Sequence, residues 1–76
     1  MQKSLYSERY GRVLDWLVEA RKTAGLTQQQ VADRLGRPQS FVAKYEHGER
    51  RLDIVELVDI AKILNVDPRQ AIGLVD

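Results

Sequence analysis

Cysteine is absent from this chain, and His47 is its only histidine. Without cysteine there is neither a disulfide framework nor a thiolate zinc site, which fits a reducing cytosol. One histidine is also too few for a metal site built from the usual protein ligands. The sequence has no glycine-rich phosphate loop and no pair of carboxylates set into a recognisable pocket. We therefore expect no catalytic residues, no metal and no cofactor.

Long apolar runs are missing as well, since none exceeds four residues, and the first residues, MQKSLYSERYGR, contain no apolar segment. The sequence thus predicts neither a membrane span nor a signal peptide, and we expect a cytoplasmic protein with no membrane partner. Its 76 residues are expected to form a single domain, residues 1–76. A domain of this size buries only about 60% of the surface that its unfolded chain exposes.

The formal net charge is only +1, but the charges are unevenly distributed. Residues 1–51 carry ten Lys and Arg against six Asp and Glu, a balance of +4, whereas residues 52–76 carry two against five, a balance of −3. Such asymmetry is typical of a domain that presents one basic surface to phosphates. The alternative is chance scatter of charge over a solvated surface.

Apolar residues recur at intervals of three and four, which predicts an all-α fold. The first helix is expected to be capped by Ser7 and to end before Gly25; residues 1–6 are interpreted as a flexible arm or an extra helical turn. Its apolar stripe consists of Tyr10, Val13, Leu14, Leu17, Ala20 and Ala24.

The segment from residue 27 to 46 contains the signals for two short helices joined by a tight turn. Thr27 and Gln30 form a predicted capping box that begins the first of them, and Gly36 ends it. The second is expected to run from Pro38 or Gln39 to His47, since Pro38 suits a first helical position, and its apolar stripe is Phe41, Val42 and Tyr45. Two such helices are expected to cross steeply, with Ala32 as the small residue at the contact.

This segment resembles the helix-turn-helix of the Cro/cI-type (XRE) family of bacterial and phage DNA-binding proteins. Ala32, Gly36 and Val42 stand four and then six residues apart, as in that family's motif, and the sequence YEHGERRL at residues 45–52 is similar to the family's continuation. The resemblance covers roughly residues 14–72. It implies a compact, five-helix, lambda-repressor-like domain. It also implies that Arg21 pairs with Glu46, the alternative being two unrelated surface charges.

The resemblance further implies that the outward face of the second motif helix reads DNA bases. That face has no acidic residue and belongs to an element that fits a major groove about 12 Å wide. The implied base contacts come from Pro38, Gln39, Ser40 and Lys44. Gln39 is suited to adenine and Lys44 to guanine.

Phosphate contacts are expected from free N–H groups at the start of a helix and from cationic side chains. The candidates are Thr27, Gln28, Arg37, His47, Arg50 and Arg51. The alternatives are helix-forming filler for the glutamine, a partner of the helix dipole for His47, no function for Arg37 and solvated charges for the loop arginines. Arg37 departs from the family, which commonly has a small hydroxyl residue near this helix start. A cation there is unfavourable unless an anion lies beside it.

The last part of the chain is unusually apolar. Asp53 and Glu56 form a second predicted capping box, and the expected core stripe of the fourth helix is Ile54, Leu57, Val58, Ala61 and Leu64. Val55, Ile60 and Ile63 fall outside that stripe and leave surplus apolar surface. A fifth helix is expected to be capped by Asp67, Pro68 and Gln70. We predict a homodimer contact within residues 53–76, formed by Val55, Ile63, Ile72, Leu74 and Val75.

Together these features predict a sequence-specific regulator of transcription that binds double-stranded DNA, acting as a homodimeric repressor on a pseudo-palindromic operator. Two reading helices related by a two-fold axis would cover half-sites about 34 Å apart. The alternative is an antitoxin or adaptor that works mainly through contact with another, unknown protein. The sequence does not specify the operator.

Overall fold

The computed structural model describes residues 7–76, in which five α-helices and no strands occur. The helices are α1 (Glu8–Thr23), α2 (Gln28–Leu35), α3 (Gln39–Glu46), α4 (Ile54–Leu64) and α5 (Gln70–Val75). The predicted all-α, five-helix architecture is therefore confirmed. The prediction for residues 1–6 lies outside the described residues. Of the helices in the described part, none combines the length and the apolar character needed to cross a membrane.

Local hydrogen bonds mark the starts of three helices as the sequence predicts. The Ser7 hydroxyl accepts a hydrogen bond from the Tyr10 N–H at 3.1 Å. Both capping boxes are complete, the one between Thr27 and Gln30 and the one between Asp53 and Glu56. Each box satisfies two backbone N–H groups that the helix itself leaves unpaired.

The turn between α2 and α3 is set by Gly36 and Pro38. Gly36 has a φ of 71°, in the left-handed region that favours glycine, and the next N–H, from Arg37, donates to the Ala32 carbonyl at 3.0 Å. Of the two predicted starts of the second helix, Pro38 and Gln39, the structure has Gln39, and Pro38 precedes the helix. Its ψ of 152° is extended, while its carbonyl already accepts from the Phe41 N–H. The helix thus begins at Gln39.

One continuous core joins all five helices. Helix α2 packs on α3 and α4, and α1 lies against α3, α4 and α5. Ala32 is fully buried between its neighbours, as expected for the small residue at a close helix contact. The largest fully buried side chains are Leu17, Val31, Val42, Tyr45 and Ile60. This arrangement buries one face of α3 and leaves the opposite face at the surface.

The predicted core stripe of α4 is wrong at two positions. Ile60, expected outside the stripe, is fully buried, whereas Ile54, expected inside it, is 68% exposed. The buried face is Ile60, Ala61 and Leu64. Helix α4 is apolar on nearly every side, so that periodicity does not distinguish its faces, and the packing of α1 and α2 decides which one is covered.

The predicted side-chain cap of α5 is also wrong. Arg69 is the residue that precedes α5, and no side chain caps the helix. Asp67 lies too early in the chain and accepts instead from the Arg69 N–H at 2.9 Å. The other end of α5 is held by α1, because Arg9 donates to the Val75 carbonyl at 2.8 Å and Arg12 to that of Leu74 at 3.0 Å.

The Tyr45 side chain carries a polar group into this core. Its hydroxyl is buried and has no hydrogen-bond partner in residues 7–76, and burial raises the pKa of Tyr45 above its ordinary value. A buried hydroxyl without a partner loses its hydrogen bonds to water and receives nothing in return. The residue therefore supplies packing at a cost in free energy.

Replacing Tyr45 by phenylalanine is expected to raise the free energy of unfolding by about 1 kcal/mol, because the unpaired hydroxyl is removed and the ring remains. Thermal unfolding followed by circular dichroism should show the midpoint rise by about 4–8 °C. Tyr10→Phe is the control, since the Tyr10 hydroxyl accepts from the Leu52 N–H at 3.0 Å. That variant should be destabilised, and destabilisation of both variants would contradict the interpretation.

Candidate nucleic-acid interface

Helix α3 presents a polar face to the surface and an apolar face to the core. Gln39, Ser40 and Lys44 are exposed, and Pro38 and His47, just outside the two ends of the helix, are exposed as well. The opposite side consists of the buried residues Phe41, Val42 and Tyr45. Every residue for which a base contact was predicted thus lies at the surface, on or beside a single helix.

An ion pair at the end of α3 fixes this helix against α1. Arg21 donates from Nε to Glu46 Oε2 at 2.7 Å and from Nη2 to Oε1 at 3.2 Å. The side chains of Arg21 and Glu46 are only 14% and 6% exposed, and the hydrogen bonds to Glu46 raise the pKa of Arg21. The pair that the family resemblance implies is therefore present, with the fork-shaped geometry that guanidinium and carboxylate favour.

The same carboxylate is connected to the start of α3 through Gln28. The Gln28 amide donates to Glu46 Oε1 at 2.8 Å and accepts from Gln39 Nε2 at 2.7 Å. An amide has two N–H donors and one carbonyl, so Gln39 keeps one donor and its oxygen for another partner. A continuous network thus runs from Arg21 to Gln39 and restrains the side chain predicted to read adenine. The sequence analysis missed this contribution of Gln28.

Two arginines flank α3, and both bind the carboxylate of Glu56 on α4. Arg50 donates to both Glu56 oxygens, at 3.0 and 2.9 Å, and Arg37 donates to Oε2 at 3.1 Å. Both guanidinium groups also lie over the ring of Phe41, with Cζ 4.1 Å from the ring centroid for Arg37 and 4.9 Å for Arg50. These four residues are called the Glu56 cluster below.

Arg37, a cation near the start of α3, was expected to need an anion beside it, and the Glu56 carboxylate is that anion. Hydrogen bonds from Arg50, together with the backbone bond from Asp53 and the contact with Arg37, lower the pKa of Glu56. Its side chain is only 13% exposed, against 41% for Arg37 and 40% for Arg50. The sequence analysis identified Glu56 only as a helix cap, because a residue 19 positions from Arg37 gives no local sign of contact.

The remaining candidate phosphate contacts lie at three different places, over the ring of Tyr10, at the end of α3 and at the start of α2. Arg51 stacks over the ring of Tyr10, with Cζ 4.5 Å from the ring centroid. His47 is exposed at the end of α3, and the Thr27 hydroxyl is engaged in the capping box of α2. Within residues 7–76, no group of His, Cys, Asp or Glu side chains is arranged to hold a metal ion. The site thus combines the exposed hydrogen-bonding face of α3 with Arg37 and Arg50, the two arginines that flank this helix in the chain.

Comparison with known families agrees with this geometry. The helix-turn-helix family model HTH_3 matches residues 17–70, which include α2 and α3 and most of the core. The chain belongs to the XRE-type helix-turn-helix family. Its α2 and α3 are therefore the two helices of the helix-turn-helix, and α3 is the second helix of the motif.

Two solved structures share the fold. An XRE-family like protein from Pseudomonas syringae pv. tomato str. DC3000 is 49% identical, with a TM-score of 0.82, and the match covers 88% of this chain and 82% of that one. The restriction-modification controller protein C.AhdI from Aeromonas hydrophila is 30% identical, with a TM-score of 0.67, over 83% of this chain and 91% of that one. Family and fold together support a DNA-binding regulator.

A further match is to an enzyme. Cyanate hydratase from Aquifex aeolicus (strain VF5) is 30% identical over 66 residues, which make up 87% of this chain and 44% of that protein. The chain thus spans less than half the length of this curated relative. More than half of the enzyme therefore lies outside the matched region.

Proposed function

We propose that this protein is a sequence-specific regulator of transcription that binds double-stranded DNA and represses by occupying an operator as a homodimer. The observation that carries the proposal is the outward face of α3, where Gln39, Ser40 and Lys44 are exposed and no acidic side chain interrupts them. The network from Arg21 to Gln39 restrains this face. A restrained hydrogen-bonding helix face is suited to the base edges of the major groove.

In the proposed complex, base contacts select the sequence and phosphate contacts set the register. Gln39 would pair with adenine through its free oxygen and remaining N–H, and Lys44 would donate to guanine O6 and N7. Pro38 and Ser40 would lie against neighbouring bases. Phosphates would be contacted around this face by the start of α2 and by cations, namely Thr27, Gln28, Arg37, His47, Arg50 and Arg51. This activity requires access to DNA and hence a cytoplasmic location.

A second copy of the chain is the proposed partner for the apolar surface of α4 and α5. Ile54, Val55 and Ile72 are 68%, 64% and 67% exposed. Ile54 and Ile72 line an apolar groove of about 240 Å³ between α1, α4 and α5. Of the other predicted contacts, Leu74 and Val75 are partly buried against the core, and Ile63, also partly buried, lines a separate groove with Trp16 and Val66. A two-fold dimer would bury the exposed apolar side chains of both copies in one interface. It would also place the two α3 helices on successive turns of DNA.

Replacing Ile72 by aspartate is expected to weaken dimerisation by at least about a hundredfold, because two apolar side chains are lost from a symmetric interface and two charges enter it. Sedimentation equilibrium over a range of protein concentrations measures the effect. Gln70→Asp, which introduces the same charge at an exposed position of the same helix, should dimerise as the unmodified chain does. Equal dimerisation by both variants would exclude Ile72 from the interface.

Selection of bound duplexes from a random pool, followed by footprinting, tests the proposed function directly. The expected result is an enriched sequence with two-fold related halves whose centres lie one helical turn apart, about 34 Å. Footprinting then shows whether both halves are protected together. If no sequence is enriched at moderate ionic strength, the proposed regulator function is wrong.

A protein-interaction role, as an antitoxin or adaptor, is the second candidate. The exposed side chains of Ile54, Val55 and Ile72 support it, because surplus apolar surface on a small domain marks contact with another protein. In that case the chain would be monomeric in isolation and would bury this surface against a different partner. We propose no catalytic role for these residues, since the enzyme match leaves most of cyanate hydratase uncovered.

A further inference from the structure

Both ends of α3 are connected to one carboxylate. Arg37 lies before the helix and Arg50 after it, and both guanidinium groups bind Glu56 and also lie over the Phe41 ring. Glu56 itself is held in place by its own hydrogen bond from the Asp53 N–H at 2.9 Å. The carboxylate is therefore fixed between the two cations that flank the proposed reading helix.

A fixed carboxylate competes with DNA for these arginines. A guanidinium group binds a carboxylate and a phosphate in the same fork-shaped geometry, and both partners are anions. A phosphate that approaches Arg37 or Arg50 meets a guanidinium whose charge is already partly neutralised by Glu56, so its net gain is smaller than at an unpaired cation. Non-specific DNA binding depends almost wholly on phosphate contacts. Competition from Glu56 is therefore expected to weaken non-specific binding more than operator binding.

Glu56 also restrains the reading helix. Its bonds to Arg37 and Arg50 fix the chain just before and just after α3, and the other fixed point is the Arg21–Glu46 pair. Base contacts need side chains held close to their productive geometry. Loss of Glu56 would thus favour phosphate binding and impair base reading at the same time.

We propose that Glu56 is a positioning residue that sets sequence discrimination, by acting as an internal counter-anion for Arg37 and Arg50 and by fixing both ends of α3. The inference rests on the proposed DNA-binding function. It assigns to α4 a part in specificity, although α4 lies outside the helix-turn-helix. Discrimination here means the ratio of affinity for the selected operator to affinity for a random-sequence duplex of the same length.

The test compares Glu56→Gln with the unmodified protein on both duplexes over a range of salt concentrations. Glutamine keeps an oxygen for the Asp53 N–H but removes the charge. Affinity for the random duplex is expected to rise about tenfold, and each arginine released to a phosphate should steepen the salt dependence by about 0.9 in log–log slope. Operator affinity should rise less or fall, so that discrimination decreases.

Glu49→Gln is the matched control. Glu49 is exposed just beyond the C-terminal end of α3, and its carboxylate forms no ion pair in residues 7–76. It removes the same charge and should leave the salt slope unchanged. Equal behaviour of the Glu56 and Glu49 variants, in a protein that does prefer its operator, overturns this inference alone. Absence of any operator preference in the unmodified protein overturns the proposed function instead.

Arg50→Lys provides a second test if the Glu56 variant does not fold at the assay temperature. Lysine keeps the positive charge but cannot engage both carboxylate oxygens as the guanidinium does. Because Glu56 would hold this lysine less tightly than it holds Arg50, the lysine is more available to phosphates. Affinity for the random duplex should therefore rise and discrimination should fall, as expected for Glu56→Gln. Lower affinity for both duplexes in equal proportion would show that the cluster has only a structural part, and would overturn the inference.

Discussion

Replacing Glu46 by alanine is expected to lower the free energy of unfolding by about 3 kcal/mol, because the substitution leaves a partly buried guanidinium without its counter-ion. Among the hydrogen bonds within residues 7–76, Arg21 would keep the one to the Leu26 carbonyl, at 3.0 Å, and its side chain is 14% exposed. Small domains have a total stability of about 5–15 kcal/mol. Thermal unfolding should therefore shift down by at least about 12 °C.

Two further variants separate the loss of the ion pair from the loss of a charge. Glu49→Ala removes an exposed carboxylate just beyond the same helix and should change stability by no more than about 0.5 kcal/mol. The double variant Arg21→Met with Glu46→Leu removes both charges and should recover most of the lost stability. Equal melting temperatures for the Glu46 and Glu49 single variants would contradict the structural importance of the pair.

The effect of Glu46→Ala should also extend to the proposed DNA surface. Gln28 binds both Glu46 and Gln39, so that removal of the carboxylate frees the Gln28 amide to rotate. Gln39 then loses the restraint that presents its oxygen outward. At a temperature low enough for the Glu46→Ala variant to be folded, we therefore expect a smaller preference for the operator over a random-sequence duplex. The ion pair would then contribute to base reading as well as to stability.

The helix ends could be predicted from sequence because their causes lie within a few residues. The pairs Thr27 with Gln30 and Asp53 with Glu56 each sit three positions apart, and Gly36 provides the left-handed residue of a tight turn. The Arg21–Glu46 pair was accessible only through the family resemblance. Its 25-residue separation carries no local signal.

The features that the sequence did not reveal depend on tertiary packing. Ile54 and Ile60 both belong to a helix that is apolar almost all round, so only the position of α1 and α2 decides that Ile60 is buried. Glu56 had a sufficient local explanation as a helix cap, which concealed its bonds to Arg37 and Arg50. A residue that satisfies a local pattern gives no sign of a second, long-range set of partners.

Replacing Gln39, Ser40 and Lys44 together by alanine is expected to abolish operator preference while the fold is retained. All three side chains are exposed, and alanine is favourable in a helix, so the melting temperature should change little. Each bidentate base contact contributes about 1–3 kcal/mol of discrimination. Operator affinity should therefore fall by at least about a hundredfold, while affinity for random DNA falls only through the one lost charge.

Lys62→Ala is the charge-matched control, because it removes one exposed cation from α4, outside the helix-turn-helix. Competition binding at moderate salt should show the operator preference kept in this control and lost in the triple variant. The same triple variant separates the two candidate functions in cells. Full activity despite loss of DNA binding would favour the protein-interaction role, because regulation by operator occupancy requires the reading face of α3 and contact through Ile54, Val55 and Ile72 does not.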